Sequence, residues 1–397
     1  MRIMHTADWH LGARIGTLRR IDDQLAQVER VLELCDENKA DVLLVAGDVF
    51  EVEETDDLEA IMKPLSEMLQ PRLSNGLSVL LLPGNHDHGS AFPLLERAQR
   101  LGGTAPSGTP RVFFRARPAN VSRVGRDGNR VQFLLLPWPR PSTYLDGSEP
   151  LMAGPALRAH LAQAWRNQVA EMTQTAKESL DQPIVLASHI LVSGADIGTG
   201  YRLTEQDDVP VAEADIPSFS YVALGHIHKP QTIGSRRWVR YSGAIERMDM
   251  GEKDHDRGVV FVEIGADGRL VQDPEFLELP ACPFYRVAID GSKGMEGLAD
   301  RYADQDPTRA YVEVTLNYDS AEDNTLTIER DLRRVFPRMY RLHLQPIGEG
   351  VQVAHLGDNH HDVATTARTY VAEAIEDDVR RVRVLTLLDE LLEEVVA

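Results

Sequence analysis

The chain is poor in sulfur. Only two cysteines, Cys35 and Cys282, occur in 397 residues, far apart and in unlike contexts. That excludes a disulfide framework and a thiolate metal site, and it fits a reducing cytosol. Long apolar runs are missing too, so no segment reads as a membrane span. The opening Met1-Arg2-Ile3-Met4-His5-Thr6-Ala7 reads as a strand leading to polar residues, not as a signal peptide. Positive charge is scarce: 42 Lys and Arg stand against 62 Asp and Glu, a formal charge of −20. Taken alone, this argues against a nucleic-acid partner. It weighs little, because net charge hides local patches and bound divalent cations reverse the sign of a carboxylate-lined site. Internal repeats and low-complexity tracts are absent. What remains is ordinary globular composition, 43% hydrophobic and 26% charged, in a length that calls for two or three domains.

What is present is one local design, used five times. The apolar run 77–82 reads as a buried strand and stops at Pro83-Gly84-Asn85-His86-Asp87-His88. The strand read at 2–7 ends in Asp8-Trp9-His10. Side chains two apart on an extended backbone share a face, so Asp8 and His10 can point at one metal. Alone, that pair reads more readily as a turn cap and a loop residue. The continuously apolar run 41–46, the mark of a strand covered on both faces, ends in Gly47-Asp48. Gly47 lets the backbone turn sharply or approach a bound group. Run 183–187 ends in Ser188-His189, and run 221–224 in Gly225-His226-Ile227-His228.

Around these tips the periodicity predicts helices at 22–38, 58–70, 92–101 and 151–180. Residues 111–114 and 131–136 read as a β pair about the turn Arg126-Asp127-Gly128-Asn129. This stretch carries Arg111, Arg115, Arg117, Arg123, Arg126 and Arg130 against the single acid Asp127. It is a local basic patch or, more plainly, a solvated hairpin. Strands are expected at 238–243 and 257–264, then a boundary near 275–282. Beyond it, strand-like runs at 285–290, 310–317 and 339–345 with a helix at 325–335 suggest a compact αβ unit. Residues 346–361 read as loop, and His360-His361 there as a solvent-exposed pair. The remainder is helical in character, with Val384, Leu385, Leu388, Leu391, Leu392 and Val395 in one stripe. Nine acids face four arginines over 362–397. Such a tail docks on its own domain or on a partner helix.

Ligand groups are expected outside the carboxyl ends of strands in an α/β sheet. The tips offer carboxylate, amide oxygen and imidazole but no sulfur, which favours Mn²⁺, Fe²⁺ or Zn²⁺. Seven such ligands are too many for one ion and suit two, if one carboxylate bridges. Two divalent ions clamp both sides of an in-line phosphoryl displacement and lower the pKa of the attacking water.

The ordered set Asp-x-His, Gly-Asp, Gly-Asn-His-Asp, a lone His and Gly-His-x-His resembles the calcineurin-like metallophosphoesterases over about residues 1–265. Longer strings narrow the resemblance: Thr6-Ala7-Asp8-Trp9-His10-Leu11-Gly12, Gly47-Asp48-Val49-Phe50 and Ala223-Leu224-Gly225-His226-Ile227-His228-Lys229-Pro230-Gln231. They are similar to the SbcD family, the nuclease subunits of bacterial SbcC–SbcD double-strand-break repair complexes. The resemblance implies an α/β fold, a four-layer α-β-β-α metallophosphoesterase sandwich over 1–277. It adds a small α+β capping domain over 278–346 that contacts DNA, and a C-terminal helical segment over 362–397.

The same resemblance implies the site. One ion would be held by Asp8, His10, Asp48 and His228. The other would be held by Asp48, Asn85, His189 and His226. His86 would face the scissile phosphate, Asp87 would orient His86, and His88 would be a bystander. The implied cofactors are two Mn²⁺ ions, with Fe²⁺ or Zn²⁺ less favoured. The implied activity is DNA end processing by in-line attack of a metal-bridging hydroxide: 3′ to 5′ exonuclease on duplexes, endonuclease on hairpins and single strands. The implied partners are DNA, an SbcC-type ATPase bound through residues 362–397, and a second copy of the chain docked through 58–70 and 92–101. The implied location is cytoplasmic and nucleoid-associated. One position departs from the pattern: Glu51 stands where archaeal relatives carry a histidine, and no role is assigned to it. The competing expectations are a metallophosphoesterase acting on a small phosphodiester or monoester, and a binding scaffold with a vestigial site. The continuation Val49-Phe50-Glu51-Val52 lacks the phosphate-gripping Asp-Arg-Gly of protein phosphatases.

Overall fold

The strand Val42–Ala46 shows how the layers arise. Alternation sends Leu43 and Val45 to one face and Val42 and Leu44 to the other, and both sets are buried in separate apolar clusters. A strand covered on both faces has no polar side to show, which is why the run is continuously apolar. The computed structural model describes residues 1–52, 55–87, 91–101, 111–145, 152–179, 182–198, 208–347 and Val384. His88, His360 and His361 lie outside the described residues, as does the segment expected at 362–397 apart from Val384. Chain contacts separate a unit Met1–Gln345 from a unit Pro346–Ala397.

Within the first unit, two six-stranded sheets face each other. The first has the order Glu275–Glu278, Gly258–Glu263, Arg2–Thr6, Val42–Ala46, Ser78–Leu82, Val112–Phe114. Its last four strands run parallel. The second has the order Gln231–Ile233, Arg236–Tyr241, Tyr221–Gly225, Ile184–His189, Arg130–Leu136, Ala119–Val124, and its four inner strands are parallel. Ile3, Leu44 and Leu80 of one sheet meet Phe133, Val185 and Tyr221 of the other in a shared apolar layer. Helices Ile21–Glu37, Thr55–Ser74 and Ala91–Leu101 cover the outer face of the first sheet. Gly154–Ser179 covers the second through Leu161, Trp165 and Val169. The result is the expected four-layer α-β-β-α arrangement.

One expected pairing is not made. Val112–Phe114 does not pair with 131–136 but lies beside Ser78–Leu82 in the first sheet. The hairpin is Ala119–Val124 with Arg130–Leu136 in the second sheet. The segment 119–124 has only Val121 fully turned inward, so its alternation is too shallow to read as a strand. The arginines here fasten loops. Arg126 Nη1 donates to the carbonyls of Lys39 and Ala40, both at 2.8 Å, and Arg111 to that of Gly76 at 2.9 Å. The Arg123 guanidinium lies 3.7 Å from the centre of the Phe113 ring.

After Glu278 the chain leaves the sandwich. Phe284–Asp290, Tyr311–Tyr318 and Met339–Pro346 form a separate three-stranded sheet whose first two strands are parallel. The helix Thr325–Val335 packs on it, with Asn324 Oδ1 accepting from the Thr327 amide at 3.1 Å as an N-cap. Val287, Val314, Leu332 and Phe336 give this subdomain a core of its own. Among the described residues, no helix is long and apolar enough to cross a membrane.

Candidate metal centre

The parallel strands of both sheets end on one rim, and the loops that follow are strained there. Six non-glycine residues among those described have positive φ, and four of them are Asp8 (52°), His10 (45°), Asp48 (49°) and His226 (104°). Such backbone persists only where its surroundings hold it, and it gathers at functional sites. Here the Asp8 amide donates to Gly47 O at 3.0 Å and the His10 amide to Asp48 O at 2.9 Å. Two motif glycines are required by crowding. A Cβ on Gly47 would fall 2.1 Å from His189 Nδ1, and one on Gly84 would fall 2.1 Å from Asp48 Oδ1.

The seven expected ligands converge. His10 Nε2 lies 3.1 Å from His228 Nε2 and 3.7 Å from Asp48 Oδ2. His189 Nε2 lies 3.2 Å from Asp48 Oδ2 and 2.9 Å from Asn85 Oδ1. His226 Nδ1 is 3.1 Å from the same amide oxygen. Asp8 is bound by the His226 backbone amide at 3.0 and 3.2 Å and groups with His10 and His228. All but Asn85 are buried.

The outer nitrogen of each imidazole faces an acceptor. His10 Nδ1 meets Glu51 Oε2 at 2.8 Å, and His228 Nδ1 meets Glu252 Oε1 at 2.7 Å. His226 Nε2 meets Asp208 Oδ1 at 3.0 Å, and His189 Nδ1 meets Ala46 O at 2.9 Å. Each acceptor fixes a proton on the outer nitrogen, so the inner nitrogens point lone pairs, or a second proton, at one another and at the oxygens. Imidazole nitrogens, carboxylates and an amide oxygen converging this closely, with at most a few protons to share, are the arrangement that cations satisfy. The residues therefore fit divalent metal.

Electrostatics agree. Burial disfavours charge on His189, yet Asp48 and Asp8 outweigh it and raise this imidazole to about 9. Burial likewise pushes Asp48 up, but His189 and His10 hold it well below the usual carboxylate range. His226 is lowered, chiefly by burial. A site that draws a proton onto a fully buried ring has negative potential to spare.

His86 sits at the edge of this cluster, partly exposed, its ring edge-on to His10 at 4.9 Å and its amide donating to Asp48 Oδ1 at 2.8 Å. Burial lowers its pKa, but Glu51 at 3.5 Å and Asp48 outweigh that and raise it. The expected Asp87–His86 relation is corrected. Both Asp87 oxygens are committed to backbone amides, Phe50 at 2.8 Å, Gly84 at 2.8 Å and Val49 at 3.1 Å. Asp87 ties two strand-tip loops together, and Glu51 is the carboxylate facing His86. Burial and Asp48 raise Asp87 to about 6.

Four residues of the site have no role assigned from the sequence, Glu51 being noted only as a departure from the family pattern. Glu51, Asp208 and Glu252 back three imidazoles from 41, 18 and 24 positions away. Arg140 donates to the carbonyls of Gly84, Asn85 and Asp87 and so pins the turn. The one available signal is the rule that a ligating imidazole needs an acceptor on its other nitrogen. Nothing in the chain order says which acid supplies it.

A family model described as calcineurin-like phosphoesterase matches residues 1–230. The chain is similar to the SbcD component of the nuclease SbcCD from three bacteria. That of Rhodobacter capsulatus is 29% identical, over 78% of either chain. That of Bacillus subtilis is 26% identical, over 88% of this chain and 86% of its own. That of Escherichia coli K12 is 29% identical, over 70% and 68%. A crystal structure of a dimetal phosphatase from Danio rerio aligns with 70% of this chain and 98% of its own at 11% identity, with a TM-score of 0.39, too distant a likeness to carry an argument. The family match spans more than half the chain and contains all seven converging residues from Asp8 to His228, so the chain belongs to the calcineurin-like phosphoesterase family.

Proposed function

We propose that this protein is a two-metal DNA phosphodiesterase that processes DNA ends in repair and recombination. The observation that carries the reading is the inward convergence of four backed imidazoles on Asp8, Asp48 and Asn85, with His86 beside them. Asp8, His10, Asp48 and His228 would hold one ion. Asp48, Asn85, His189 and His226 would hold the other. Bound there, divalent ions, Mn²⁺ in this reading, would supply charge opposite the phosphate and acidify the attacking water. Burial lowers the His86 pKa, Glu51 and Asp48 outweigh it and raise it, and in this reading the ring donates to the phosphate oxygens and to the departing 3′ oxygen. Glu51, Asp208 and Glu252 keep their imidazoles aimed.

Similarity to the SbcD component of the nuclease SbcCD supports a nucleic-acid substrate. The motif resemblance extends the reading to DNA, with 3′ to 5′ exonuclease and hairpin and single-strand endonuclease action. The similarity also supports an SbcC-type partner; in this reading that ATPase takes residues 362–397 and the subdomain over 278–346 is a DNA-contacting cap. A homodimer would use the helices Thr55–Ser74 and Ala91–Leu101, where Leu94 is exposed. The test is purified protein on end-labelled hairpin and duplex DNA, with Mn²⁺ against Mg²⁺, beside p-nitrophenyl phosphate. Mn²⁺-dependent DNA cleavage with little monoester turnover supports the reading. Turnover of a monoester or a small cyclic diester without DNA cleavage replaces it with a small-molecule phosphoesterase. Deleting 362–397 should abolish capture of the ATPase and leave single-strand cleavage intact.

A further inference from the structure

Four charged residues lie buried where the capping subdomain leaves the sandwich: Arg20, Glu246, Glu252 and Arg257, none more than 2% exposed. They form two hydrogen-bonded groups joined by the backbone of residues 246–257. At one end, Glu252 Oε1 meets His228 Nδ1 at 2.7 Å, and Arg257 Nη1 donates to the His228 carbonyl at 2.5 Å. Arg257 also pairs with the second oxygen of Glu252, which accepts from the Met248 amide at 2.9 Å. At the other end, Arg247 Nη1 donates to Cys282 O at 2.9 Å, and Glu246 accepts from the Cys282 amide at 3.0 and 3.2 Å. Arg20 Nη1 donates to Arg247 O at 2.6 Å, and its guanidinium lies 4.6 Å from the centre of the ring of Tyr311, on the cap's central strand. The Leu279 amide donates to Arg257 O at 2.7 Å.

We propose that residues 246–257 are a strap that couples the seating of the capping subdomain to the aim of His228. Within it Glu252 and Arg257 position His228, and Glu246 and Arg247 hold the cap's entry at Cys282. Stability alone does not account for the arrangement. Buried ion pairs hold a joint no better than well-packed apolar residues of the same volume. Hydrogen bonds add direction: both the ring nitrogen and the carbonyl of His228 are fixed from the same segment that grips Cys282. A shift of the cap that moves Cys282 pulls on Arg247 and Glu246, then on Glu252, and turns the imidazole. By reciprocity, cation binding at His228 stiffens the cap's entry. The proposal rests on His228 being a metal ligand.

The test uses Arg247→Met in the full chain, which keeps the aliphatic stem, lies on the cap side and touches neither His228 nor any ligand. Mn²⁺ titration by calorimetry should show one of two sites weakened about tenfold, the loss typical of a disturbed outer partner, with the other unchanged. Hydrolysis of bis(p-nitrophenyl) phosphate, too small to need the cap, should recover at raised Mn²⁺. An isotherm identical to the parent overturns the proposal. The unmodified protein provides a second arm should the variant fold poorly. Loading Mn²⁺ should slow hydrogen exchange at the Cys282 and Leu279 amides, and unchanged rates there overturn the coupling. Failure of the functional reading would look different: no phosphoester would turn over in the parent, while both binding arms would stand.

Discussion

His10 and His228 face each other through their Nε2 atoms at 3.1 Å, and each rests its other nitrogen on a carboxylate, Glu51 for one and Glu252 for the other. Two imidazoles so placed can share at most one proton between their facing nitrogens. Their common lone-pair direction is where a cation gains most.

Glu51 is the first residue to test, because it stands where a histidine was expected. Replacing it with Ala removes the acceptor that fixes the proton on His10 Nδ1. Apparent Mn²⁺ affinity should drop roughly 10–100-fold, as for other groups that back a ligating imidazole. Glu51→Gln, whose amide oxygen still accepts, should lose less. Mn²⁺ dependence of bis(p-nitrophenyl) phosphate hydrolysis reads both. Equal affinity in Ala and parent would leave Glu51 without a role in aiming His10.

Metal loading should release protons. The cation-free site holds His189 up at about 9 through Asp48 and Asp8, so at neutral pH its inner nitrogen carries a proton that a metal must displace. Affinity should therefore tighten as pH rises towards 9 and level off above it. Calorimetry in buffers of different ionisation enthalpy measures the protons released. A buffer-independent enthalpy at pH 7 would refute this.

Much of this site was legible because each tip obeys a local rule. An apolar run must end, a glycine lets it turn, and polar residues at the end of a parallel strand face one rim. Asp8, Asp48, His189 and His226 could be placed at strand tips from those rules, and their joint role came from the ordered set. Asp87 could not: the resemblance implied a partner for His86, but the turn sends its carboxylate back to the amides of Val49, Phe50 and Gly84. Asp208 and Glu252 were invisible, and Glu51 carried no role, for a related reason, since they reach their imidazoles through tertiary folding. The misread pairing of 111–114 shows the same limit. Alternation identifies a strand, but the sheet it joins depends on where the chain crosses between layers.

His86→Ala should abolish phosphodiester hydrolysis without loss of metal. The ring lies beside the ligand cluster and is drawn up by Glu51 and Asp48. Removing a general acid of this type costs about 10²–10⁴-fold in kcat. Elemental analysis should still find two ions per chain. Full activity would remove His86 from the chemistry, and loss of one ion would make it a ligand.

His5 sets an acid limit on stability. It lies between the sheets, fully buried, with Nδ1 2.9 Å from the Tyr221 hydroxyl. Burial is the main cause that lowers its pKa from 6.5 to about 3. Above pH 6.5 the ring is neutral in both folded and unfolded chains and pH has no purchase on it. Below 6.5 the unfolded chain takes up a proton that the folded chain refuses until about 3. Stability therefore falls with pH in that window, by about 1.4 kcal/mol per unit from this one group. His5→Gln keeps a polar group opposite Tyr221 but does not titrate. The stability lost between pH 7.5 and 4.5 should then be smaller than in the parent by roughly 2–3 kcal/mol, measured by urea unfolding with chelator in both samples. The other titrating groups are common to both proteins and cancel in that difference. Parallel pH profiles would mean that His5 takes up its proton inside the fold as readily as in the unfolded chain, and would overturn this assignment.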